Sequence, residues 1–67
     1  MNKIQFKIGD RVRMHEEGSW VDGREGTIGA LDVTSSDGIH GHRIDVPGHG
    51  YTIVEPEFLE LLPGGGA

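Results

Sequence analysis

No stretch of this chain carries the 3.6-residue apolar period of an amphipathic helix, whereas short alternating runs recur and are cut by glycine or proline. Such a chain is restricted to short strands joined by tight turns. The first run starts at Phe6: Ile8, Val12 and Met14 share one parity, and Lys7, Arg11, Arg13 and His15 share the other, as in a half-buried strand. Gly9-Asp10 precedes its centre, where positive φ and an Asx-type side chain would steer the backbone into the sheet. A second strand is predicted after Gly23-Arg24-Glu25-Gly26, from Thr27-Ile28 to about Val33, with Gly29 marking a bulge or bend. Ile39 to Val46 reads as a third strand, with His40, His42, Ile44 and Val46 on one parity and Arg43 and Asp45 on the other. Pro47-Gly48-His49-Gly50 is a turn and Tyr51 to Val54 the returning strand. Pro56 has no amide hydrogen and restricts Glu55, so Glu55 to Phe58 fits a single 3₁₀ turn before a closing strand at 59–62.

The chain is 67 residues long, which predicts one domain that buries only about 60% of its unfolded surface. A core of that size supplies roughly 3–5 kcal/mol, so nearly every large apolar side chain must contribute. Cysteine is absent, which excludes disulfides and thiolate metal sites and points to a reducing compartment. Neither end carries a charged-then-apolar leader and no apolar run approaches a bilayer span, so the expectation is a cytoplasmic protein without membrane association. Residues 1–5 read as a flexible lead-in, 6–62 as the folded unit and the Gly-rich residues 63–67 as a disordered tail. Five short strands in so short a chain predict an all-β barrel, since closure removes exposed edges.

The segment GDRVRMHEEGSWVDGREGTIGALD, from Gly9 to Asp32, resembles the opening of SH3-like barrel families: Gly-Asp-x-Val, then glycine before Thr-Ile, then a Leu-Glu final strand as at Leu59-Glu60. It is similar to KOW-type modules, to photosystem I reaction-centre subunit IV, with its basic first strand and aromatic-bearing loop, and to plasmid-borne type II dihydrofolate reductase. The resemblance covers most of residues 6–62 and implies a five-stranded SH3-like barrel with a single 3₁₀ turn before the last strand. In the reductase family the ligand contacts come from a Val-Gln-Ile-Tyr strand and a lysine. The corresponding residues here are Tyr51-Thr52-Ile53-Val54 and Met14-His15, so the isoleucine is kept while the glutamine, tyrosine and lysine are replaced. That comparison implies a relative without the reductase activity.

The formal net charge is −5 and unevenly spread. Residues 1–15 carry Lys3, Lys7, Arg11 and Arg13 against Asp10, a net +3; residues 16–67 carry ten acids against Arg24 and Arg43, a net −8. An acidic chain is repelled by polyphosphate at long range, so nucleic acid is the less favoured partner. Arg11 and Arg13, with Lys7 and His15, form a basic stripe with two readings, an acidic partner or phosphates on one hand and a paired, solvated face on the other. In an SH3-like barrel the last strand lies beside the first, so Glu60 would face the stripe.

Trp20 is the only tryptophan and sits in a connection made of Glu16, Glu17, Gly18, Asp22 and Gly23. It suits a partner anchor or a lid folded over the small core, and its polar neighbours favour partial exposure. His40, His42 and His49, with His15 farther off, match no structural zinc spacing and read as surface histidines. No nucleophile-base arrangement or phosphate loop is recognisable, because no helix follows the glycines at 23, 26 and 29. The expectation is a non-enzymatic module that binds a protein, or self-associates, through Trp20, Arg11, Arg13 and Tyr51, without catalytic residues, metal or cofactor. The alternatives are a KOW-like domain associated with nucleic acid or ribonucleoprotein and an inactive reductase relative.

Overall fold

The computed structural model describes residues 5–63. Met1 to Ile4 of the expected lead-in, and all of the expected tail except Pro63, lie outside the described residues. The chain is all-β: β1 (Arg11–Met14), β2 (Glu25–Thr34), β3 (His40–Val46), β4 (Gly50–Val54), a 3₁₀ turn at Pro56–Phe58 and β5 (Leu59–Leu61). They form one antiparallel sheet in the order β4-β3-β2-β1-β5. Among the described residues β4 and β5 each have a single strand neighbour, so the sheet is open in its hydrogen bonding.

The alternation reads directly as two faces. Val12, Met14, Ile28, Ile44, Val46, Val54 and Leu59 turn inward and form the core with Val21 from the β1–β2 connection, and Phe6, Leu31 and Phe58 pack against it. Val12 lies between Gly26 of β2 and Leu61 of β5, and Ile44 between Ile28 and Thr52. His42, expected at the surface, is buried instead, because it lies on the inward parity of β3.

β2 supplies the curvature. Ile28 pairs with Ile44 and Ala30 with Arg43, so Gly29 is one extra residue on β2; between Ala30↔Arg43 and Val33↔Gly41 a second extra residue is accommodated. Asp32 takes φ 51° in this second irregularity, and its amide donates to His42 Nδ1 at 3.1 Å. The inward histidine therefore holds the bulged backbone from inside the sheet. Sequence reading locates the first bulge at Gly29 and misses the second.

The β3–β4 hairpin follows its expected course, with Gly48 and Gly50 at φ 81° and 84° and the His49 amide donating to the Val46 carbonyl at 2.9 Å. Gly41 answers a close approach: a Cβ there would lie 2.9 Å from the Glu55 amide nitrogen and against the Val54 carbonyl.

The first strand is shorter than its alternation suggests. Residues 7–10 form a turn in which Asp10 N donates to the Lys7 carbonyl (3.1 Å) and Asp10 Oδ2 accepts from Lys7 N (2.8 Å), with Gly9 at φ 98°. Ile8, which parity places inside with Val12 and Met14, is consequently 65% exposed. Asp10 is buried instead, its carbonyl accepting from Ile28 N at 2.9 Å.

Candidate functional site

The outward parity of the sheet presents a row across four strands, Arg11–Thr27–Asp45–Tyr51, each residue directly opposite the next. At about 4.8 Å per strand spacing, Arg11 and Tyr51 are separated by roughly 14 Å on one face. Beside this row run Glu60–Arg13–Glu25 and Ala30–Arg43–Ile53. Arg11, Arg13 and Tyr51 therefore share a surface.

That surface is internally paired. Glu25 receives Arg13 Nη2 at 2.6 Å and Arg11 Nη2 at 3.3 Å, one carboxylate oxygen each. The hydrogen bond and charge of Glu25, helped by Glu60, raise the Arg13 pKa above its ordinary value. His15 Nε2 meets Glu60 Oε1 at 2.6 Å, which places Glu60 beside the stripe as the order of the strands anticipates. The principal partner, Glu25, is the one sequence reading overlooks, because β2 starts at Glu25 rather than at Thr27 and its register opposite Arg13 appears only in the sheet.

Farther along the face, Arg43 lies with its guanidinium carbon 5.7 Å from the Tyr51 ring centroid, and its Nε is 3.2 Å from Asp45 Oδ1. Ion pairing is close there, but Nε is not aligned as a hydrogen bond. Gly29 makes room for this arrangement, because a Cβ at that position would meet Arg43 and Asp45 side-chain atoms. Tyr51 itself is 64% exposed.

Trp20 belongs to a different place. The connection between β1 and β2 is closed by Met14 N donating to the Arg24 carbonyl (2.8 Å) and Gly23 N to the Met14 carbonyl (2.7 Å), and it is folded on itself by Ser19 N to Glu16 O, Asp22 N to Ser19 O and Arg24 N to Val21 O. The Ser19 hydroxyl also accepts from Val21 N at 3.3 Å. These turns point two adjacent side chains in opposite directions: Val21 is 1% exposed in the core and Trp20 is 51% exposed. The apolar cover over the core is thus Val21, a residue that sequence reading passes over although it is apolar in an otherwise polar loop.

The Trp20 ring is braced from two elements. Its centroid lies 5.7 Å from that of His49 in the β3–β4 turn, and the Arg24 guanidinium carbon is 5.9 Å from the indole centroid. Arg24 Nε donates to the Trp20 carbonyl (2.8 Å) and Arg24 Nη1 to His49 Nε2 (3.2 Å). Arg24 meets Trp20 from within the same connection, whereas His49 joins them only through the meeting of two loops, which spacing could not reveal.

The four histidines are held apart by separate partners: Glu60 for His15, Thr34 for His40, Asp32 N for His42 and Arg24 for His49. Among the described residues no three histidine, aspartate or glutamate side chains gather as a metal site, and no helix is long and apolar enough to cross a membrane. No family model, curated protein or solved structure matches the chain.

Proposed function

We propose that the chain is a small SH3-like barrel that works as a non-enzymatic module and recognises a protein partner through the connection between β1 and β2. Trp20 is the observation that carries this reading. It is a large aromatic side chain left half exposed, on a loop whose neighbouring Val21 is anchored in the core, and held in place by Arg24 and His49. Tryptophan and arginine dominate interface hot spots, and a side chain ordered in advance loses less entropy on binding. The two irregularities of β2 bend a sheet whose last strand already lies against its first, which favours closure around the core. Arg11 and Arg13 share Glu25, and the chain's net charge is −5, so the basic stripe offers little to a polyphosphate.

The test is a crosslinking pull-down from native lysate with the wild type and Trp20→Ala as parallel baits. The expected result is a protein retained by the wild type and lost with the variant, while both baits give the same β-type circular dichroism. Equal retention would move the interface away from the loop. Salt-dependent retention on nucleic acid would replace the reading with the KOW-like one, and NADPH oxidation with dihydrofolate, expected to be nil, would replace it with the reductase.

A further inference from the structure

We propose that Arg24, walled by Trp20 and braced by His49, is the recognition site for a single carboxylate beside an apolar residue on a peptide segment of the partner; the inference rests on the binding-module reading and names its ligand chemistry. Three of the four arginines are ion-paired on the sheet, Arg11 and Arg13 to Glu25 and Arg43 to Asp45. Arg24 alone pairs with no carboxylate among the described residues, although Asp22 lies two positions before it. It is nonetheless fixed in position: Nε is held by the Trp20 carbonyl, Nη1 by His49, and the guanidinium lies against the indole.

A guanidinium has five N–H donors in a rigid fork, of which these contacts use two. The remainder face no acceptor among the described residues, and a carboxylate is the group whose two oxygens match that fork. The exposed indole beside it supplies an apolar wall for a neighbouring side chain of the same peptide, which is how a single ionic contact gains specificity. A polyphosphate fits less well. Glu16, Glu17 and Asp22 lie in the same connection and the whole chain is acidic, so repulsion grows with each added phosphate, while one carboxylate in direct contact gains more from the fork than it loses over a Debye length of about 8–10 Å.

The experiment selects ligands for the immobilised full chain from a phage library of random heptapeptides, then titrates the selected synthetic peptides. Trp20 fluorescence and amide chemical shifts report the site, because the chain has one tryptophan. Expected are peptides with Asp or Glu next to an apolar residue, shifts confined to residues 20–24 and 47–50, and a roughly tenfold or greater weakening on Arg24→Gln or on Asp→Asn in the peptide. Arg24→Lys should also weaken binding, since an ammonium keeps the charge and loses the fork. Selected peptides that bind Arg24→Gln as well as wild type would overturn the carboxylate site; if their binding still requires Trp20, the binding-module reading survives. Failure to select any peptide would overturn the site too, and if joined with an empty pull-down it removes both readings. Arg24-dependent binding of a short oligothymidylate in place of the peptides would overturn it in favour of phosphate.

Discussion

The β3–β4 hairpin and the β1–β2 connection are built on opposite principles. In the hairpin parity sets the inward positions, His42 opposite Val54, Ile44 opposite Thr52 and Val46 opposite Gly50, and the turn between the strands is spanned by one backbone hydrogen bond. In the connection no periodicity applies, and five backbone hydrogen bonds with one serine cap decide that Val21 points in and Trp20 points out. The hairpin spends its side chains on the core. The connection spends its backbone on placing one side chain for each purpose, and so is the region with surface groups free for a partner.

The largest expected effect lies in the hairpin. Gly41→Ala would thrust a Cβ into the Val54 carbonyl and to 2.9 Å from the Glu55 nitrogen, both backbone atoms that no rotamer change can move. The pair β3–β4 must separate to admit it. The expected cost is comparable with the entire stability of such a domain, roughly 3–5 kcal/mol, so the variant should lose its β-type circular dichroism. A folded Gly41→Ala with a wild-type urea midpoint would break the claim that the hairpin tolerates no backbone adjustment.

The next effect tests the connection against its own sequence. Val21→Ala should cost about 2 kcal/mol because the side chain is fully buried. Trp20→Ala, which removes a far larger group, should cost about 1 kcal/mol or less, since it forfeits an exposed aromatic and cation–π contact and no core packing. Urea denaturation of both variants checks the inverted order. A Trp20→Ala that collapses while Val21→Ala remains stable would make Trp20 the lid. Fluorescence sharpens the same point: Trp20 emission is expected near that of free tryptophan and open to acrylamide, and a blue-shifted, protected signal would contradict the half-exposed ring.

Which parts of this were legible depends on whether local chemistry or the meeting of distant segments decides them. Val12, Met14, Ile28, Ile44 and Val46 follow from alternation alone, and the 3₁₀ turn follows from Pro56. Gly9-Asp10 reads as the entry into the sheet, but residues 7–10 form a turn of their own, so the parity of Ile8 does not continue into Val12 and the residue emerges on the surface. The φ of 51° at Asp32 is not announced by spacing, because its amide donates to His42 ten residues away. At the candidate site Trp20 stood out by type alone. Arg24 and His49 did not: Arg24 folds onto Trp20 within a loop that has no periodicity, and its 3.2 Å contact with His49 joins two turns that are 25 positions apart.

The smallest expected effect concerns the outer face, where pairing makes a basic stripe into structure. Glu25→Gln removes the single carboxylate that Arg11 and Arg13 share, leaving both guanidinium groups with a neutral acceptor while Glu60 remains beside Arg13. These side chains are about half exposed, so water takes over most of what Glu25 supplied and the urea midpoint should fall only slightly at low salt. Since the effect is electrostatic and solvent-facing, it should vanish near 1 M salt, where the Debye length is about 3 Å. The same variant also raises the net charge of the face, and a stripe whose arginines were merely masked by Glu25 would then begin to retain oligonucleotide. A Glu25→Gln protein that gains salt-sensitive nucleic-acid binding would show that pairing conceals a phosphate-binding strip, whereas unchanged, negligible retention would place the functional contrast of the molecule where the two loops meet, at Trp20 and Arg24.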